Sequence, residues 1–213
     1  MADNLLFYTH PMSRGRIVRW MLEEIGQPYR TEVLDYGARM KSPEYLAINP
    51  MGKVPAIRHG DTIVTECAAI CAYLADAYPQ AKLAPPPGDR LRGPYYRWLF
   101  FAAGPLEAAA TNKSMGFEVP LDRKPMAGYG SLDDVLAAVE GLLSKQDYAV
   151  GGYFTAADVY LGSHIGWGME FGSLEKRPAF EKYWQRVSSR PAARRANEID
   201  DALMAKHPMP GQG

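Results

Sequence analysis

Residues 49–57 read NPMGKVPAI, and the pair Glu66-Cys67 follows a short way downstream. Pro55 opens an apolar run that predicts a strand. Because proline has no N–H to donate, Pro55 should lie at the start of that strand or on the edge of a sheet. The bond between Val54 and Pro55 is a candidate for the cis form. A strand entered in this way leaves the amide and carbonyl of Val54 free, and we expect them to pair with an extended ligand, a small peptide.

The hydrophobic pattern around this stretch alternates between strand and helix. Short apolar runs predict strands, and apolar residues spaced three to four apart predict helices. The predicted elements follow the order β-α-β, then a short helix, then β-β-α. The initial β-α-β segment is typical of a βαβ unit with a right-handed crossover. The predicted elements are strands at 4–9 and 29–35, a helix at 17–25, a short helix from Ser42 to about Asn49, strands at 54–58 and 62–65, and a helix at 66–78.

Residues 83–89, LAPPPGD, predict a boundary between two domains. Three consecutive prolines favour an extended, semi-rigid linker. Strand signals are absent beyond it, so the pattern predicts an α/β domain at 1–82 and an all-helical domain at 90–213. The predicted helices of the second domain lie at 91–110, 132–143, 155–169 and 179–188. The final residues, 208–213, predict a loose tail.

Thr155 and Asp158 resemble a capping box at the start of a helix. In this motif a hydroxyl at the N-cap and an acid three residues later satisfy backbone amides that would otherwise lack a partner. Phe154 directly precedes the motif and is placed to pack onto Val159 or Tyr160. We therefore interpret Asp158 as a structural residue rather than a catalytic one.

The composition is that of an ordinary folded protein. Of 213 residues, 47% are hydrophobic, and a net charge of zero gives no electrostatic case for nucleic acid or an anionic membrane. No apolar run approaches ~20 residues and no signal-peptide pattern precedes the first strand, so we expect a cytoplasmic protein. The cysteines, Cys67 and Cys71, lack the neighbouring ligands of a zinc site and are expected to be reduced structural thiols, with no metal.

These motifs, in this order and at this spacing, resemble the cytosolic glutathione transferase family. The resemblance rests on the Val54-Pro55 turn, the helix led by Glu66, the proline-rich linker and the capping box, and it covers nearly the whole chain. The run SPEYLAINPMGKVPAI at 42–57 is similar to bacterial members. The family implies an N-terminal thioredoxin-like α/β domain with a mixed four-stranded sheet, followed by an all-α domain.

The resemblance implies a site for glutathione, a co-substrate that carries two carboxylates and one amino group, and no tightly bound cofactor. Val54, before Pro55, would pair its backbone with the cysteinyl part. Glu66 would bind the amino group, and the exposed amides at the N-terminus of its helix suit the γ-glutamyl carboxylate. The family has serine after this acid. Here Cys67 replaces it, and because a thiol is a weaker donor than a hydroxyl, we expect weaker but surviving affinity.

A cation must bind the glycyl carboxylate of glutathione. The family pattern points to Lys41 and Lys53, with Arg39 as a less favoured alternative. A surface lysine also needs no functional explanation, so each assignment remains open.

The chemistry of the family requires a thiolate, whereas an ordinary thiol with a pKa near ~8.5 is mostly protonated at neutral pH. Lowering that pKa by about two units needs roughly 2.7 kcal/mol of preferential stabilisation of the thiolate. The family keeps its activating residue in the loop before the first helix, where Ser13 is the hydroxyl. Serine-using classes often place it one residue earlier, at the position of Met12 here. Ser13 is equally suited to a plain N-cap.

Other polar residues near this loop have simpler interpretations. Tyr8 lies within the first strand and is a poorer source of the activating hydroxyl. His10 is expected to be structural or exposed on the loop rather than a base. Arg14, Arg16 and Arg19 are most simply a solvated helix face, although Arg14 would add positive potential.

The resemblance implies attack by the bound thiolate on a hydrophobic electrophile, or on a peroxide. The absence of a cysteine from the loop argues against members that form a mixed disulfide. The co-substrate pocket would use Met12, Trp98, Phe101 and Phe117, although these aromatics are equally suited to a core. The family is usually homodimeric. The competing hypothesis is a non-catalytic interaction protein of the same architecture, as in transferase-like domains attached to translation or transcription machinery, including the stringent-starvation type.

Overall fold

The computed structural model describes residues 4–207, and the chain forms two compact units. Among these residues, the first unit contains 4–81 together with 190–207, and the second contains Lys82–Ser189. The predicted tail at 208–213 lies outside the described residues.

The first unit is built on a mixed four-stranded sheet, which confirms the predicted fold class. Its strands are β1 (Leu5–Thr9), β2 (Arg30–Val33), β3 (Ala56–His59) and β4 (Thr62–Thr65). They lie in the order β2-β1-β3-β4, with β1 and β2 parallel and the other pairs antiparallel. All of β1 is buried, as expected of a central strand without polar alternation.

Three helices connect and follow these strands: α1 (Gly15–Ile25), α2 (Pro43–Leu46) and α3 (Cys67–Ala77). Gly26 ends α1 in a left-handed conformation at φ +65°, where its N–H donates to the carbonyl of Leu22. At α2, the side chain of Ser42 accepts from the N–H of Tyr45 at 3.3 Å. Ser42 is therefore the N-cap of α2.

The helix α9 (Pro191–Met204) packs on α1 within the first unit, whereas the sequence analysis assigned residues 90–213 to the helical domain. Arg19 carries this contact. It is fully buried, donates from Nε to Asp200 Oδ1 at 3.2 Å, and its guanidinium lies 4.9 Å from the ring centre of Phe7. The interpretation of Arg19 as part of a solvated face is therefore wrong.

The second unit is helical, as predicted. Its helices are α4 (Arg92–Phe101), α5 (Glu107–Ser114), α6 (Leu132–Leu143), α7 (Ala156–Glu170) and α8 (Pro178–Ser188). A π-helical turn at Ala102–Leu106 joins α4 to α5, and it contains Pro105, whose missing N–H removes a helical hydrogen bond. No helix among residues 4–207 is long and apolar enough to cross a membrane.

The capping box at the start of α7 is present, and it is completely buried. Asp158 Oδ2 accepts from the N–H of Thr155 at 2.9 Å, and Oδ1 accepts from the N–H of Ala149 at 2.7 Å and from the hydroxyl of Tyr183 at 2.9 Å. Burial raises the pKa of Asp158 to about 6, and the hydrogen bonds only partly oppose it. The carboxyl group joins the start of α7 to α8, which supports the structural interpretation.

The turn before β3 is held by Asn49, which is buried. Its Nδ2 donates to the carbonyl of Lys53 at 2.7 Å, and its Oδ1 accepts from the N–H of Met51 at 3.1 Å. The hydroxyl of Tyr45 donates to the same Lys53 carbonyl at 2.7 Å. Gly52 has φ +58° and lies so close to Met40 that an added Cβ would be 2.6 Å from the Met40 carbonyl oxygen.

We predict that replacing Asp158 with asparagine destabilises the protein by an amount that depends on pH. Because the pKa of Asp158 is raised in the folded state, its stabilising contribution is fully present below pH ~4 and is lost as the pH rises through about 6. The gap in unfolding free energy between wild type and Asp158→Asn should therefore be about 1 kcal/mol larger at pH ~5 than at pH ~7.5. Urea titrations at the two pH values measure it.

Asp133→Asn is the matched control, because Asp133 is an exposed acid in the first turn of α6. Its effect should stay below about 1 kcal/mol at both pH values. A gap for Asp158→Asn that widens as the pH rises would contradict the account of the buried carboxyl.

We predict that Gly52→Ala destabilises the protein more than Gly60→Ala. Both glycines have nearly the same backbone, at φ +58° and +59°, so both variants carry the left-handed penalty of about 1–2 kcal/mol. An added Cβ at Gly60 meets nothing within 4 Å, whereas at Gly52 it meets the Met40 carbonyl. Urea unfolding should show a further loss of at least about 1 kcal/mol for Gly52→Ala, and equal losses would show that the close approach has no cost.

Candidate functional site

A cleft of about 430 Å³ opens on the first unit. It is lined by residues 12–14 of the loop between β1 and α1, by residues between 36 and 41, and by residues 52–54. The cleft brings together several side chains that the sequence predicts for the site: Met12, Ser13, Lys41, Lys53 and Val54.

Val54 enters the cleft in the conformation that the sequence suggested. The Val54–Pro55 peptide bond is cis, and Pro55 is buried. The strand begins two residues later than predicted, at Ala56, which pairs with Tyr8 of β1. Within residues 4–207, the N–H and C=O of Val54 have no hydrogen-bond partner. This backbone is therefore available to an extended ligand.

Glu66 leads α3 from an unusual backbone conformation, φ +65° and ψ 117°. A residue with a side chain reaches this region at a cost of about 1–3 kcal/mol, and such residues cluster at functional sites. Cys67 follows at the first position of the helix, and its thiol donates to the carbonyl of Arg14 at 3.6 Å. Arg14 lines the cleft, whereas Glu66 and Cys67 do not. The start of α3 thus contacts the loop that forms one wall.

Ser13 makes local hydrogen bonds within its loop. Its hydroxyl donates to the carbonyl of His10 at 2.6 Å and accepts from the N–H of Gly15 at 2.9 Å. A hydroxyl has one proton, and here that proton is directed at a carbonyl. The alternative hydroxyl, Tyr8, is buried in β1 and does not line the cleft. Ser13 lies one residue before the N-cap of α1, Arg14, and its hydroxyl accepts from the first N–H of the helix.

His10 and Tyr36 both hold the same loop through hydrogen bonds to the backbone of Met12. His10 is buried, its Nδ1 accepts from the N–H of Met12 at 3.2 Å, and its ring lies 4.5 Å from that of Tyr36. Burial lowers the pKa of His10, so the ring is neutral near pH 7. The hydroxyl of Tyr36 donates to the Met12 carbonyl at 3.0 Å. Sequence reasoning missed Tyr36, because a tyrosine after a strand gives no local signal of a contact 24 residues away.

The cleft is positive. Arg14, Lys41 and Lys53 line it, and among residues 4–207 no acidic residue does. The Nζ of Lys41 donates to the Met51 carbonyl at 2.9 Å, which holds this ammonium beside the turn. Arg39 instead pairs with Glu32 at 3.2 Å and does not line the cleft. The charge of the cleft suits an anionic ligand.

The other residues predicted for the co-substrate pocket belong to the second unit. Trp98 is buried, and its ring packs edge-on against Phe101 with the ring centres 5.3 Å apart. Phe117 is 62% exposed. Met12 lines the cleft of the first unit. The assignment of these four residues to one pocket stays a prediction.

Comparison with known proteins connects this site to a family. The model described as "Glutathione S-transferase, N-terminal domain" matches residues 12–77, and "Glutathione S-transferase, C-terminal domain" matches residues 123–191. A relative from Escherichia coli O157:H7, "Glutathione S-transferase GstA", is 32% identical over 165 residues, 76% of this chain and 78% of the relative.

Solved structures give the same result. The glutathione transferase URE2P6 from Phanerochaete chrysosporium, in complex with oxidized glutathione, is 30% identical with a TM-score of 0.77, over 94% of this chain and 98% of that one. A sphingomonad glutathione S-transferase complexed with glutathione is 26% identical with a TM-score of 0.75, over 92% of this chain and 98% of that one. Together with the cleft and its cis proline, these matches show that the chain belongs to the glutathione S-transferase family.

Proposed function

We propose that the chain is an active glutathione transferase that binds glutathione in the first-unit cleft and ionises its thiol for attack on a hydrophobic electrophile. The proposal is carried by an observation on the described part of the chain, residues 4–207. Within it, the backbone of Val54 has no partner and lies beside a cleft that is lined by cations and by no acid. A small, extended peptide with two carboxylates meets both requirements. The two solved relatives described above contain glutathione or its oxidised form.

Each part of glutathione has a partner in this proposal. The cysteinyl backbone pairs with Val54, and the glycyl carboxylate binds Lys41 or Lys53. The γ-glutamyl end lies at the start of α3, where the Cys67 amide meets its carboxylate and Glu66 binds its amino group. The thiol of Cys67 already donates to the Arg14 carbonyl, so it adds little to the affinity.

Ionising the thiol is the chemical step that the protein must assist. When glutathione binds, the Ser13 hydroxyl breaks its hydrogen bond to the His10 carbonyl and donates to the glutathione sulfur instead. The positive end of the α1 dipole further stabilises the thiolate. The thiolate then attacks the electrophile. A C–S bond forms, and the leaving group departs with its electron pair. With a peroxide the thiolate attacks one oxygen, the O–O bond breaks, and the other oxygen leaves with the electron pair and is protonated to the alcohol, so that the glutathione sulfur becomes a sulfenic acid. A second glutathione thiol then attacks this sulfur, water leaves, and a disulfide forms.

The proposal includes a cytoplasmic homodimer, as is usual in the family. The competing function, a non-catalytic interaction protein, is favoured by one observation. The Ser13 proton is directed at the His10 carbonyl rather than at the cleft. The two functions differ in whether the bound thiol ionises.

We predict that Ser13→Ala keeps glutathione binding within a few-fold but raises the pKa of the bound thiol by about one to two units. Turnover of an activated aryl chloride at neutral pH should fall roughly 10- to 100-fold, because less thiolate is present. Calorimetry measures the affinity, and the ultraviolet absorbance of the thiolate across a pH titration measures its ionisation.

Ser114→Ala is the matched control, since the Ser114 hydroxyl also donates to a carbonyl three residues back, that of Thr111 at 2.8 Å. It should leave binding and turnover unchanged. Wild-type protein that fails to bind at millimolar glutathione would favour the interaction protein. Unchanged turnover in Ser13→Ala would overturn the serine assignment but not the family.

A further inference from the structure

We propose that Arg16 is a positioning residue for the catalytic loop and that the C-terminal helix α9 acts on the bound thiol through it. This inference rests on the proposed function. It starts from a correction, because the sequence interpretation placed Arg16 on a solvated helix face. Its side chain is instead 18% exposed and makes hydrogen bonds in two directions.

In one direction, Arg16 fixes the loop. Its Nε donates to the carbonyl of Pro11 at 2.6 Å. Three successive carbonyls of this loop are held by side chains, and Pro11 is the middle one. Ser13 holds the carbonyl of His10, and Tyr36 holds that of Met12. The guanidinium therefore sets the path of the chain directly before Met12 and Ser13.

In the other direction, Arg16 reaches α9. Its Nη2 donates to Asp201 Oδ1 at 2.6 Å and lies 3.3 Å from the sulfur of Met204. A guanidinium is a planar fork of donors, so fixing one edge on α9 also fixes the direction of the Nε–H. Asp201 thereby orients the donor that holds the loop, although it does not line the cleft.

A second contact joins the same end of the chain to the same loop. His207 Nδ1 lies 2.8 Å from Asp35 Oδ1. Asp35 directly precedes Tyr36, whose hydroxyl holds the Met12 carbonyl. Asp201 within α9 and His207 after it therefore each contact a segment that positions the loop. Both residues help to hold the candidate site in place.

Asp201 is the position at which the inference is best tested. Its side chain is 61% exposed, so Asp201→Ala should fold normally. Arg16→Ala is less selective, because its charge also acts on the buried Asp200, the partner of Arg19. Burial raises the pKa of Asp200, and the charges of Arg19 and Arg16 partly oppose that rise. Glu198→Ala is the matched control, since Glu198 is an exposed acid on the same helix and, among residues 4–207, has no hydrogen bond or ion pair to the loop.

We expect Asp201→Ala to lower kcat about 2- to 5-fold and to raise the pKa of bound glutathione, with a smaller change in KM for glutathione. Arg16→Ala should lower kcat further, and the double variant should equal Arg16→Ala because Asp201 acts through Arg16. Arg16→Lys should recover only part of the activity, since an ammonium lacks the fork. Glu198→Ala should match wild type in kcat and in the pKa of the bound thiol.

The outcomes separate this inference from the proposed function. If wild type binds and turns over glutathione but Asp201→Ala matches Glu198→Ala in both readouts, the positioning role is wrong and the transferase function stands. Losses that simply add in the double variant would also overturn it, because Asp201 would then act by another route. A wild-type chain that neither binds nor uses glutathione removes the proposed function, and this inference falls with it.

Discussion

The carbonyl oxygen of Lys53 accepts two hydrogen bonds, from the Tyr45 hydroxyl and from Asn49 Nδ2, each at 2.7 Å. This doubly bonded carbonyl fixes the chain directly before Val54, and the rest of the site depends on it. With the turn held by buried side chains, the backbone of Val54 needs no partner in the sheet. Its N–H and C=O remain unpaired within residues 4–207. A turn held by buried side chains thus presents an unpaired backbone directly before β3, which is a binding surface for an extended peptide.

The opposite wall of the cleft, the loop between β1 and α1, is also held by side-chain hydrogen bonds to backbone carbonyls. A loop cannot satisfy its own carbonyls by regular structure, so buried loop carbonyls need other donors. Ser13, Arg16 and Tyr36 supply them to three successive residues. These three bonds fix the path of the loop, and the proposed chemistry must exchange one of them, that of Ser13, for a bond to sulfur.

Local rules explain which features the sequence could predict. The Val54–Pro55 turn and the Asp158 capping box depend on residues within a few positions of one another, and both have the predicted form. Burial of Arg19 could not be predicted in this way. Its partner Asp200 lies 181 residues away, and its neighbours on α1 read as an arginine-rich exposed face. The acceptor of the Ser13 hydroxyl could not be predicted from the sequence either, because residue type alone does not determine where a hydroxyl proton points.

The most direct test of the central claim is a crystal structure of the chain with glutathione bound. The account predicts that the N–H and C=O of Val54 both lie within about 2.7–3.2 Å of the cysteinyl backbone, with a glutathione carboxylate at Lys41 or Lys53. A glutathione molecule bound elsewhere, with the Val54 backbone still unpaired, would contradict it.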